Sequence, residues 1–478
     1  GERRPTMIQY GSQHGAAGRR RRGTAGPAGA LSRRALFGVA AGGGSAILAA
    51  ACGPASGGAT DATTASAGKP ALRSGTKLVW AVGGSAGSQR ETMRRQMVDL
   101  FHERHRGIEV ELLFGHTGPT KLFTLFAGGN PPDLFRVSTQ PYPAFVAQGL
   151  VEPYDALMKR DHFDTADFFP ASLEQWRFQG KQWALPFLGI RVGYVDVGAY
   201  DEAGTERPPT SWKDPKYTWD LFLDRARRVT RPAGGGQLSR FGFRASSSQR
   251  DWQPWVWGNG GDVFSPDGKR FTLDEPPAVE ALQFLADLIH KHHVAPTAAE
   301  YKEIGNQLKA FHGGRLTMYH APINNVARNR DGATGMRWSL AALPHGPAKG
   351  AKAHSSGGGV GWFIPKDSPT LEEAWALLMT VVGKEGVRLE AMTGEAPPSR
   401  KSVAYSKEYL QPDAPPGTDM KVVVEALEVI KPDLPLVKGP EFADVIEEGL
   451  KPMWEGTQTA RQAVEAIKPQ VEAVLAGP

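Results

Sequence analysis

Three tryptophans, Trp252, Trp255 and Trp257, stand beside Asn259-Gly260-Gly261. An indole offers a flat apolar face to the C–H side of a hydroxylated ring, and a carboxamide both donates and accepts hydrogen bonds. This is chemistry for recognition rather than for breaking bonds. At least one of the three is expected to stack on a ligand, the others belonging to a core. Arg191 stands among Gly189, Ile190 and Val192. A guanidinium in such apolar company must be paired or face a cleft, so Arg191 either forks onto ligand hydroxyls or closes a structural salt bridge. His290-Lys291-His292-His293 has metal-ligand residue types, but cations suit the C-terminal end of a helix, and no metal is expected. The chain has no phosphate loop and no His-Glu-x-x-His, and Gly83-Gly84-Ser85-Ala86-Gly87 matches a Gly-x-Ser-x-Gly elbow in spacing alone. Its carboxylates are many, but no local motif fixes a hydrolytic pair. Neither catalytic residues nor a cofactor are expected.

The single cysteine, Cys52, rules out an intramolecular disulfide and a cysteine-based zinc site. It closes a distinctive segment. Arg33-Arg34 precedes an apolar, glycine-rich run from Phe37 to Ala51, fifteen residues long, too short for the roughly 20 that span a bilayer. Basic residues, a short apolar region and small residues describe an export signal over 1–51, and the arginine pair resembles a twin-arginine signal. Leu48-Ala49-Ala50-Ala51-Cys52 resembles a lipoprotein processing site, which makes Cys52 the expected point of lipid attachment to the outer face of the cell membrane. Residues 52–76, poor in large apolar side chains, read as a flexible tether. The net charge of +6 misleads. Eight of the 56 Lys and Arg, and one of the 50 Asp and Glu, lie within 1–51, leaving 48 basic against 49 acidic residues. A nearly neutral body has no electrostatic reason to seek nucleic acid.

The remaining length suits about two domains. Leu78–Val82 reads as a buried strand, and Met93, Met97, Leu100 and Phe101 mark one face of a helix. Ile108–Leu112 alternates as a strand, Leu122–Phe126 reads as a helix, and Leu134–Val137 as a strand. This order predicts a largely parallel sheet covered by helices, an α/β architecture. Ligands of such sheets bind beyond the carboxyl ends of the strands. The loops after the first and third strands therefore offer Gly84, Ser85, Thr139, Gln140 and Tyr142. Trp219–Val229 reads as a helix, Ser265–Gly268 as a hairpin turn, and Pro276 opens a helix whose face carries Leu282, Leu285 and Ile289.

Seven fragments, in order along the chain, resemble those of maltodextrin-type solute-binding proteins of carbohydrate ABC importers. They begin with Phe101–Val110, Lys121–Leu134 (KLFTLFAGGNPPDL), Gln148–Pro153 and Trp255–Val263 (WVWGNGGDV). Phe311–Tyr319 (FHGGRLTMY), Gly357–Lys366 (GGGVGWFIPK) and Pro398–Val403 complete the series. Arg106 and Leu316-Thr317 are small departures. The resemblance implies a type II periplasmic-binding-protein-like fold of two lobes, joined where the chain crosses near Phe187–Tyr194, Met318–Ala321 and Val360–Pro365. It places 77–188 and 320–360 in the first lobe, and 192–317 and 366–478 in the second. It sets the Trp252–Asn259 segment at the cleft edge and adds Tyr319 and His320 at the second crossing. Gly358 and Gly359 are expected to let backbone approach a ligand. The implied function is capture of a sugar by a monomer and its delivery to ABC permease subunits. A polyamine or metal receptor of the same fold would need an acidic cleft, and a secreted carbohydrate enzyme is the remaining alternative.

Overall fold

The strand run Leu78–Val82 extends to Lys77–Val82 and pairs in parallel with Glu109–Phe114, Leu78 opposite Val110. On its other side Trp80 bridges Leu134 in parallel, the Leu134 carbonyl accepting from Ala81 N at 2.8 Å. Phe135–Ser138 continues from there. Gly359–Phe363 lies antiparallel between it and Leu185–Leu188, completing the first sheet. The computed structural model in which these elements are seen describes residues 69–235, 237–394, 396–410 and 419–477. The export signal and Cys52 lie outside the described residues.

Helix Gln89–Arg104 starts where Ser88 accepts from Glu91 N and the Glu91 carboxylate accepts from Gly87 N, satisfying amides that a helix start leaves open. Met93, Met97 and Phe101 are buried, as their spacing predicts. They meet Trp375, Leu377 and Leu378 of helix Leu371–Val381 in one core with Trp80 and Trp362. The end of the expected tether is not loose. Arg73 donates from its backbone and side chain to Glu373, at 2.8 and 3.0 Å, and Gly75 N donates to Gly107 O at 2.6 Å.

The second sheet is built on Arg191–Asp196, flanked antiparallel by Met318–Pro322 and Trp338–Ala341. Phe241 and Arg244 bridge Leu316 and Tyr319 on its outer side. Helices Trp219–Val229, Gln249–Gly258, Pro276–His290 and Ala460–Ala476 cover it with a second core. The hairpin at Ser265–Gly268 is present, with Phe264 opposite Phe271. Among the described residues no helix is long and apolar enough to cross a membrane.

The pairing corrects the expected division between lobes. Met318–Pro322 and Trp338–Ala341, expected in the first lobe within 320–360, lie in the second sheet. Helix Leu371–Val381, expected in the second lobe, packs in the first. The chain changes sheet at Gly189-Ile190, within the expected first crossing, and again at Gly357-Gly358, just before the expected third. There is no crossing at Met318–Ala321. A strand's sheet is chosen by hydrogen bonds to distant partners, which its own residues do not encode.

Candidate ligand cleft between the lobes

The two crossings lie side by side and wall a cavity of about 200 Å³. Gly189, Ile190 and Arg191 come from one crossing and Gly357–Val360 from the other; Pro322 ends the strand that pairs with Arg191–Asp196, and Ile323 and Asn324 follow it. The first lobe adds Arg90, Arg136 and Phe187, and helix Gln249–Gly258 adds Arg250. The Arg136 guanidinium lies 5.0 Å over the Phe187 ring, a cation–π contact. It also fills the space beside Gly83, where a Cβ would come within 2.7 Å of Arg136 Nη1. Gly358 has φ +131°, a conformation natural to glycine alone, and a Cβ there would collide with the Arg250 guanidinium.

Arg250 sits in a polar clasp between the lobes. It donates to Thr139 Oγ1 at 3.2 Å, and Thr139 donates to Asp433 Oδ2 at 3.1 Å. Burial pushes the Asp433 carboxyl above its usual range, partly offset by the nearby Arg250 charge. On the far side of the clasp is a second cavity of about 270 Å³, whose wall includes Gln140, Gln253, Trp257, Asp262 and Lys431. There Trp257 Nε1 donates to Asp262 at 2.9 Å, and Lys431 pairs with the other oxygen of Asp262 at 2.7 Å while lying over the Trp257 ring.

The expected site residues divide sharply. Arg191, Gly358 and Gly359 line the first cavity, Gln140 and Trp257 the second, and Thr139 joins the lobes between them. Arg191 makes the ion pair that was one of its two readings, with Asp251, whose other oxygen is 3.7 Å from Arg244. Gly84 and Ser85 are exposed at the start of helix Gln89–Arg104, and Arg90 of its first turn reaches the cavity instead. Other expectations are corrected by burial. Trp252 and Trp255 are core, Trp255 packing edge-on to Phe222 and Phe243 at 5.2 and 5.5 Å. Tyr142 is buried against Trp176 and Phe363. Tyr319 stacks on Tyr194 at 4.9 Å and accepts from Asn329. Asn259 ties its helix end down, donating to Pro277 O and Glu280 and accepting from Ala348 N. Each is a large or amide side chain placed by interior packing, which composition does not distinguish from a cleft.

Arg90, Arg136, Arg250 and Asp433 were not foreseen. The one available signal was Arg136, a charge inside the otherwise apolar strand run Leu134–Val137. In the histidine cluster, His290 closes helix Pro276–His290 and contacts the Trp454 carbonyl, while His293 meets Glu300 at 2.8 Å. Among the described residues there is no group of three or more His, Cys, Asp and Glu side chains placed to hold a metal ion.

His320 also differs from expectation. It is buried behind the cavity, 3.7 Å from Asp251. Burial pulls its imidazole down to about 4, against a smaller opposing pull from Asp251. The folded state thus binds fewer protons than the unfolded one between about pH 4 and 6.5, and stability falls as pH falls through that window. From pH 7 to 5 the loss from this one group is expected to be about 2 kcal/mol. Urea unfolding at both pH values, with His320→Gln as the comparison, measures it. An equal slope in both proteins would remove His320 as the source.

With this geometry in view, comparison with known proteins is informative. A putative binding protein of Brucella abortus (strain 2308) is 26% identical over 263 residues, 54% of this chain, and the match spans only 60% of that protein's length. The sn-glycerol-3-phosphate-binding periplasmic protein of Pectobacterium atrosepticum is 22% identical over 79% of this chain and 87% of its own. An ABC substrate-binding protein from Listeria monocytogenes, solved in complex with cycloalternan, superposes with a TM-score of 0.71 at 20% identity, covering 84% of this chain and 100% of that one. The two-lobed α/β fold is therefore that of type II periplasmic-binding proteins. The model of the bacterial extracellular solute-binding protein family matches residues 86–388, more than half of the sequence, and the chain belongs to that family.

Proposed function

We propose that this chain is the solute-capturing component of an ABC importer, binding a sugar or a similarly hydroxylated solute outside the cell and presenting it to permease subunits. One observation carries the reading: a cavity walled by two of the chain crossings, with side chains contributed by both lobes. Binding proteins of this architecture close by hinge rotation around such crossings. Ligand held by one lobe draws the other over it, and the closed form is what a permease recognises. The protein changes no bond of the solute and acts as a monomer. Relatives named for sn-glycerol 3-phosphate and a structural neighbour holding cycloalternan support a hydroxylated solute.

Thermal melts against mono- and oligosaccharides, polyols, polyamines and metal ions test this. A specific solute at ~100 Kd is expected to add about 2.7 kcal/mol of stability. A shift from a polyamine or metal ion alone would replace the solute class, and turnover of a saccharide would replace the receptor by an enzyme.

We also propose that 1–51 directs export and that Cys52 carries a lipid anchor, supported by the single cysteine closing the signal-like run. Cys52→Ser is expected to move the protein from the membrane fraction to the soluble one. Retention in the membrane fraction would remove the lipid.

A further inference from the structure

Resting on that reading, we infer that the solute carries an anionic group, a phosphate ester or a carboxylate, and that Arg136, Arg191 and Arg250 form its seat in the cavity between the crossings. Four arginines line a space of about 200 Å³, with Arg90 as the fourth, and among its described lining residues there is no Asp or Glu. Asn324 is the one other polar side chain of the described wall, and the rest is apolar or backbone, from Phe187, Ile190, Pro322, Ile323, Val360 and the glycines. Neutral hydroxyls need a mixture of donors and acceptors, because each hydroxyl offers both. Guanidinium groups only donate, and their planar fork matches the oxygens of phosphate or carboxylate. A wall so weighted to donors and positive charge is complementary to an acceptor-only anion.

The glycines make the placement deliberate. Gly83 leaves room for the Arg136 guanidinium and Gly358 for that of Arg250, so two backbone positions are matched to the cations. The inference does not require unpaired arginines. Arg191 holds Asp251 and Arg250 approaches Asp433 at 3.9 Å. Burial pushes the carboxyls of Asp433 and of Glu390, the partner of Arg94, above their usual range. The volume lies below the range of drug-sized pockets, roughly 300–1,000 Å³, which points to a compact solute such as a short polyol or a single ring.

Calorimetric titration of the full chain with glycerol 3-phosphate, glucose 6-phosphate and glucuronate, against glycerol and glucose, tests the inference. Inorganic phosphate is a separate arm. At least one charged solute is expected to bind about 100-fold more tightly than its neutral counterpart, with affinity falling as salt is raised. The phosphate esters and glucuronate tell the two anions apart. Binding of inorganic phosphate with equal affinity would keep the anionic class and assign it to the free ion. Arg136→Gln and Arg250→Gln are each expected to weaken binding of the charged solute by about tenfold or more, with melting temperatures of the unliganded proteins compared alongside. Where a variant fails to fold, the charged-to-neutral ratio of the unmodified protein decides. Equal or tighter binding of the neutral counterparts would overturn the anionic seat and leave the receptor reading standing. Absence of saturable binding by every probe would overturn the anionic seat, the receptor reading being decided by the wider panel of melts.

Discussion

Trp255→Ala is expected to destabilise the second lobe by about 4 kcal/mol, in the range found for truncating large buried aromatics. The side chain is 1% exposed and sits amid Phe222, Phe243 and Phe284, with ring centroids 5.2 to 5.9 Å away. Truncation removes the indole's contacts and leaves a void that three rings anchored on different segments cannot fill by a common shift. Denaturant unfolding followed by circular dichroism measures the loss, and a cost below about 1 kcal/mol would show the site collapsing or the residue exposed. Trp257→Ala is the contrast. Trp257 borders the second cavity and holds Asp262, so its loss should be smaller and should also disturb the Lys431–Asp262 pair.

Arg191→Ala is expected to cost about 3 kcal/mol, at the low end for breaking a buried ion pair. It leaves the Asp251 carboxylate, largely buried, with Arg244 at 3.7 Å as the remaining guanidinium within ion-pair range. The double variant Arg191→Met with Asp251→Leu removes both charges, and replacing a buried pair by apolar side chains is often close to neutral. The pair should therefore be strongly non-additive, the double variant recovering about 2 kcal/mol or more of the single loss. Additive losses measured without ligand would mean that Arg191 and Asp251 stabilise the fold independently. Arg191 also lines the cavity, so solute affinity should fall in both variants while stability separates them.

Much of the local structure was legible because it is written at short range. The period of Met93, Met97 and Phe101, the turn residues of Ser265–Gly268 and the boundaries of Trp219–Val229 depend on neighbours a few positions away. The seven ordered fragments carried the two-lobed architecture. The lobe division was not legible, because Met318–Pro322 is equally apolar whichever sheet receives it. Nor was the tryptophan segment. In helix Gln249–Gly258 every residue from Asp251 onward is buried, so no periodic face separates core from cleft.

The sequence by itself determined the elements, their order and the chemistry available to each. Only the tertiary structure decided which side chains meet. It sent Trp252 and Trp255 into a core and brought Arg90, Arg136, Arg191 and Arg250 to one cavity from segments far apart in the chain. The physical reason is range. Helix and turn preferences arise from interactions within a few residues. A cleft is set by strand pairing and by the room that Gly83 and Gly358 leave for guanidinium groups arriving from distant segments.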